Sequence, residues 1–280
     1  MNIFDTMKYE IELIEDLHEQ LLEGPVYDKT NELLYFVSIL DYRVYQYNPA
    51  RKQLLSIQFD SPTSCVFISP RHGIIAATSN GFYKLDFQAG TSKWLFRIEI
   101  PFNLRFNDGI VDPKGRILIG TMGYPEVVEN AGSLLSYDGR MVKTLVSKTT
   151  ISNGIAFSKD ARLMFYIDTP TRVVKIYGYE LSTGECTYLR DLVRFEGAGL
   201  PDGMDIDENG QLWVAEWGGY GVSVWNSETG APVGRIDIPV ENVTSVCLDT
   251  TGNLYVTTAR SYKDGSAYGG SLFYVKIKRA

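Results

Sequence analysis

Short apolar runs of strand length, each bounded by polar turns, recur from one end of the chain to the other. The clearest unit is Leu200 to Trp217, LPDGMDIDENGQLWVAEW. It holds a tight turn at Pro201-Asp202-Gly203, a second turn at Asp207-Glu208-Asn209-Gly210 and then an apolar run, Leu212 to Ala215. The plan returns at Phe106 to Met122, Ile151 to Asp168 and Val243 to Thr258, and in worn form at Glu23 to Val37 and Pro62 to Thr78. One small or polar residue leads each copy: Glu23, Thr63, Asn107, Asn153, Asp202 and Thr244, in steps of 40, 44, 46, 49 and 42 residues. A period of that size with several short strands per unit marks a propeller of four-stranded blades.

The second-strand runs support this reading. Leu33 to Val37, Ile117 to Ile119 and Leu163 to Ile167 are continuously apolar. Strands covered on both faces lose the alternation of half-buried ones. No stretch carries a sustained apolar stripe at helical spacing with caps. A β-sandwich is the competing all-β arrangement, and six copies of one plan favour the radial one. The expected fold is all-β: a six-bladed β-propeller of four-stranded antiparallel blades, residues 1–280 forming one domain around a central metal-binding channel. A closed ring must hide its last edges. The alternating strand Tyr9 to Ile14 is therefore expected to join the blade of Ser271 to Ile277, beyond the glycine-rich loop Ser261 to Gly270. Between Glu15 and Leu22 the pattern fits a helical turn or a loop equally.

Composition narrows the function. A net charge of −7 argues against nucleic acid or an anionic membrane as partner. No apolar run approaches the ~18 residues of a membrane span, and the charged start MNIFDTMKYEIELIED is unlike a signal peptide. Cys65, Cys186 and Cys247 are odd in number and far apart, which excludes a disulfide framework and fits a reducing cytoplasm. A monomer or weak homo-oligomer is expected.

Asp205 to Glu216, DIDENGQLWVAE, matches a calcium-loop pattern. That loop needs flanking helices, whereas glycines crowd both sides here and the same turn recurs at Asp112 and Asp249. Asp207 and Asn209 read as hairpin residues. The leaders read differently. Glu23, Asn153 and Asp202 are oxygen ligands, and Asn107 is a polar amide. Two carboxylates and an amide oxygen meeting on one axis would form a hard site of charge −2. Without a cation the carboxylates repel and one takes up a proton; a divalent ion relieves this. The same residue types also cap turns before glycine, and spacing alone does not separate the two readings. His18 and His72 are the only histidines and neither is near a leader, which argues against a histidine-bound zinc or a serine triad.

RFNDGIVDPKGRILIGTM, ISNGIAF and LPDGMDIDENGQLWVAEWGG, with EGPVYD before them and TSVCLDTTGNLYVTTAR after, resemble the signature segments of the senescence-marker-protein/gluconolactonase/luciferin-regenerating-enzyme family. The resemblance runs from about Glu23 to the C-terminus. It implies a six-bladed propeller with one divalent cation, Ca²⁺ foremost, with Zn²⁺, Mg²⁺ or Mn²⁺ as substitutes. It implies Glu23, Asn153 and Asp202 as metal ligands, Arg105 and Asn107 as the substrate-binding pair and Asp202 as catalytic base. The implied activity is hydrolysis of lactones, often sugar lactones, with the cation polarising the ring carbonyl. Ser38 stands where many relatives have an acid, and the segment from Gly123 to Gly132 departs from animal members; Tyr124 and Glu126 are its expected pocket contacts. The alternative from another class is a calcium-binding or scaffold propeller without turnover.

Overall fold

The computed structural model describes residues 5–261 and 267–278. Residues 262–266, part of the expected glycine-rich loop, lie outside that range. Six sheets follow one another around a ring. Their innermost strands are Leu22–Asp28, Thr63–Ser69, Leu104–Val111, Ser152–Phe157, Leu200–Ile206 and Asn242–Leu248. Within each of the first five sheets the chain runs outward through consecutive antiparallel strands. Each innermost strand packs on the next, and the sixth packs on the first, which closes the ring. The fifth blade carries one addition, the two-residue strand Asp5–Thr6, parallel to Pro232–Asp237 at its outer edge.

The apolar runs explain the stacking. Six clusters of buried residues occupy the six interfaces between neighbouring blades. Successive side chains of a second strand enter opposite interfaces, because side chains alternate across a sheet. In the first blade Leu34 and Phe36 pack toward the sixth, whereas Tyr35 and Val37 pack toward the second. Leu212 and Val214 likewise face the fourth blade, and Trp213 and Ala215 the sixth. Each side chain so buried contributes about 1.5–3 kcal/mol relative to exposure. Both faces of a middle strand must therefore be apolar, which is the continuous pattern that the sequence shows.

The N-terminal strand closes the ring as expected. Tyr9–Glu15 pairs antiparallel with Leu272–Ile277, setting Ile11 opposite Val275 and Leu13 opposite Phe273. Ile11 and Leu13 also pack on the cluster between the fifth and sixth blades. Deleting residues 1–15 should bare an apolar edge strand. The expected result is a large part of a typical ~5–15 kcal/mol stability lost, with association on gel filtration. An unchanged melting temperature and a monomeric elution would contradict this.

The stretch after Glu15 is not a helix. It is an irregular loop, with His18 at φ 54° and a bend at Gln20, that leads to a bridge between Leu21 and Ala259 and ties the sixth blade to the first. The rejected calcium loop is indeed a hairpin: Asp207 Oδ1 accepts the backbone N–H of Asn209 and Gln211, both at 2.9 Å, and Gly210 has φ 73°. Asp112 and Asp249 do the same in their own blades.

Candidate active site at the channel mouth

The leaders do not share a place in their strands: Glu23 is second, Asn107 fourth and Asp202 third. They share a bulge. Pairing between the innermost and second strands slips once in each blade, between Glu23 and Val26, Thr63 and Cys65, Phe106 and Gly109, Asn153 and Ile155, Pro201 and Met204, and Val243 and Ser245. A bulge bends its strand and re-aims a side chain. The six bulges fall at or beside the leaders, one in each innermost strand. Close packing holds the blades there. A Cβ on Gly154 would lie 2.5 Å from the carbonyl oxygen of Asp202, and one on Gly203 would lie 2.1 Å from Ser245 Oγ.

Glu23, Arg105, Asn107, Asn153 and Asp202 are all buried; hydrogen bonds link Arg105, Asn107 and Asn153, and the charge of Glu23 acts on Arg105 and Asp202. Arg105 Nη1 donates to Asn107 Oδ1 at 2.7 Å and to the carbonyl oxygen of Phe106 at 2.8 Å. Asn107 Nδ2 donates to Asn153 Oδ1 at 3.1 Å and to the Ser152 carbonyl oxygen at 3.0 Å. Asn153 Nδ2 donates to Thr169 Oγ1 at 2.9 Å, and the same amide lies against the Asp202 carboxyl. Asp202 is 4% exposed, and among the described residues its Oδ1 has no hydrogen-bond partner.

Such a group is costly unless something pairs it. Burial pushes the Glu23 carboxyl up to about 8, and the charge of Asp108 adds to the effect. Burial, and then the charges of Glu23 and Asp108, push Asp202 well above the usual carboxylate range. Burial lowers Arg105 to about 10, against the pull of Glu23. Three carboxylates against one guanidinium leave this end of the channel at −2 when all are ionised. That donor set fits a hard divalent cation: two carboxylates, an amide oxygen and one carboxylate oxygen with no other partner.

Asp108 escaped the sequence reading because Asn-Asp-Gly looks like a turn. Its Oδ1 accepts the Gly109 N–H at 2.7 Å, and burial raises it to about 6. The position after the leader is Gly24, Ser64, Gly154, Gly203 or Ser245 in the other copies. The single acid in that column is the signal that could have found it. Asp108 also lines a cavity of about 460 Å³ with Gly24, Met204, Asp205 and Cys247; Glu23, Asn153 and Asp202 do not line it.

Ser38 does not front a pocket. It is fully buried opposite Leu22, and its hydroxyl shares its one proton between Asp41 Oδ2 at 2.8 Å and Glu19 Oε2 at 3.1 Å. Tyr45 and Arg43 donate to Glu19 Oε1. An acid at position 38 would add a third carboxylate to Glu19 and Asp41, whereas the serine hydroxyl serves both. Tyr124 is partly buried, its hydroxyl meets that of Tyr42, and it lies near Arg105. Glu126 is exposed, and no contact places it in the site. His18 and His72 are exposed.

Comparison with known proteins agrees with this fold. The chain is 35% identical to regucalcin of Xenopus laevis over 246 residues, covering 85% of this chain and 82% of that one. It is equally identical over 248 residues to YvrE of Bacillus subtilis (strain 168), which carries the provisional name of a sugar lactone lactonase, with the same coverage. Among solved structures, a luciferin-regenerating enzyme superposes with a TM-score of 0.88 at 28% identity, covering 96% of this chain and 95% of that one. The model of the SMP-30/gluconolactonase/LRE-like region matches residues 21–260, which takes in all six innermost strands and every residue of the site. The chain belongs to that family.

Proposed function

We propose that this protein hydrolyses lactones, sugar lactones foremost, with one divalent cation held by Glu23, Asn153 and Asp202. The observation that carries the reading is the buried Asp202 carboxylate with an oxygen unpartnered among the described residues, set near a second buried carboxylate, Glu23, and the buried Arg105. When bound, the cation would polarise the lactone carbonyl and acidify nearby water.

The remaining work falls to side chains. Arg105 spends Nη1 on the protein, and among the described residues Nε and Nη2 make no hydrogen bond. They are free to donate to ring or hydroxyl oxygens of a sugar lactone, where charge assistance makes such bonds strong. Asn107 uses both amide hydrogens within the protein and keeps one Oδ1 lone pair for a substrate hydroxyl. Water oxygen attacks the carbonyl carbon and the ring C–O bond breaks. Asp202 takes the water's proton and returns it to the departing ring oxygen, giving the hydroxy acid. Tyr42 and Tyr124 wall the mouth beside Arg105 and select among substituents. The unpaired donors of Arg105 favour turnover over a purely calcium-binding scaffold. The three cysteines are free thiols, two of them buried, which fits a reducing compartment such as the cytoplasm. Among the described residues no helix is long and apolar enough to cross a membrane.

Stripping the protein with a chelator and assaying gluconolactone with and without added Ca²⁺ tests the reading. Activity should fall by at least three orders of magnitude, about 4 kcal/mol, and return with the cation. Equal rates in both samples would overturn it.

A further inference from the structure

We propose that Thr169 is a positioning residue for the cation site: its hydroxyl fixes which end of the Asn153 amide can face a metal. The proposal rests on the cation-dependent reading above. An asparagine ligand must present oxygen, and its two amide ends are nearly the same shape, so something must choose between them.

The choice is made by a one-way run of hydrogen bonds across three blades. Arg105 Nη1 donates to Asn107 Oδ1, Asn107 Nδ2 to Asn153 Oδ1, Asn153 Nδ2 to Thr169 Oγ1, and Thr169 Oγ1 to the carbonyl oxygen of Pro201, at 2.7, 3.1, 2.9 and 2.9 Å. A guanidinium can only donate and a carbonyl can only accept. The two ends therefore set the direction of every link between them. Turning the Asn153 amide over would set its NH₂ against the NH₂ of Asn107. It would also pull the threonine proton away from Pro201. In the observed sense Oδ1 keeps a second lone pair for a cation.

Thr169 is well placed to impose this. It is buried and opens the short 3-10 turn Thr169–Thr171. Its N–H donates to the Ile151 carbonyl oxygen at 3.1 Å, and its own carbonyl oxygen accepts the Arg172 N–H at 3.0 Å. The preceding Asp168 accepts the N–H groups of Thr150 and Ile151 through Oδ1, at 3.0 and 2.8 Å. The hydroxyl thus stands on fixed backbone between the fourth and fifth blades, and its acceptor Pro201 adjoins Asp202.

Calorimetric titration with Ca²⁺ tests this on the full chain. Thr169→Val keeps the shape and removes the hydroxyl; its Ca²⁺ affinity should fall on the order of tenfold or more, as for other residues that orient ligands. Thr169→Ser should keep the wild-type affinity. Thr169→Ala repeats the test should valine disturb folding, which thermal unfolding without metal reports. The discriminating pair is Asn153→Asp with and without Thr169→Val. A carboxylate offers oxygen at both ends, so in that background losing the hydroxyl should change affinity by no more than about twofold. Wild-type protein that binds no Ca²⁺ would refute the cation-dependent reading itself. Wild-type protein that binds, with Thr169→Val binding equally well, would overturn the proposal alone. So would an equal loss in both backgrounds, which would make Thr169 a packing residue.

Discussion

Asp202→Ala is expected to abolish Ca²⁺ binding and to lower lactonase turnover by at least three orders of magnitude, about 4 kcal/mol, without unfolding the protein. The residue lies inside a bulge of the innermost strand, not in any interblade cluster. Its removal leaves the apolar packing whole. The metal-free state should even gain. Asp202 is deeply buried, and the charges of Glu23 and Asp108 add to the cost of ionising it. Wild-type protein should gain about 2.7 kcal/mol at a Ca²⁺ concentration one hundred times its dissociation constant. The variant should gain nothing from Ca²⁺, and without it should melt no lower than metal-free wild type.

The pH dependence of the metal-free protein follows with a definite sign. The Glu23 carboxyl rises from 4.5 to about 8 on folding. An acid whose folded value is raised holds its proton better in the native state. Its favourable contribution is fully present below 4.5 and is lost as pH rises through about 8. Metal-free stability should therefore fall across that window, and Asp202→Ala should flatten the slope by removing a second carboxyl that burial holds above its ordinary value. Stability of the metal-free form that rises with pH across the same window would contradict the picture of clustered carboxylates. Thermal unfolding in a pH series measures both.

Arg105→Ala should lower kcat/KM by about two to four orders of magnitude while Ca²⁺ still binds. Two charge-assisted hydrogen bonds to substrate, at about 1.5–3 kcal/mol each, set that scale. Arg105→Lys should recover little, because a lysine cannot reproduce the fork that grips Asn107, Phe106 and substrate together. The guanidinium is only 5% exposed and its Nη1 is fully engaged, so both kcat and KM should move. Steady-state assays over a panel of aldonolactones measure this. Unchanged activity in Arg105→Ala with bound metal would favour the scaffold reading instead.

Much of this was legible in the chain. Six copies of one strand plan, and an N-terminal strand with only an open edge to pair with, lead to a closed ring by the need to bury apolar faces. The leaders Glu23, Asn153 and Asp202 stand out because they are polar where a strand begins to turn apolar. What could not be read depends on side-chain direction. The bulges that aim the leaders are made of ordinary residues such as Pro25 and Gly154, and register slips leave no compositional trace. Asp108 hid in a turn motif. Thr169 hid in a loop, and its role depends on the orientation of a hydroxyl and an amide. The setting of Ser38 was unreadable for the same reason: its hydroxyl meets Glu19 and Asp41.

The central claim is that one ion sits on the channel axis between the first, fourth and fifth blades. Crystals soaked in Mn²⁺, with anomalous diffraction collected at the manganese edge, test it most directly. The account predicts one strong anomalous peak bonded to oxygens of Glu23, Asn153 and Asp202. Replacement by Ca²⁺ should remove that signal and leave density at about 2.3–2.6 Å from the same three oxygens. An empty axis at saturating metal, or an ion bound elsewhere while these three side chains remain unligated, would contradict it.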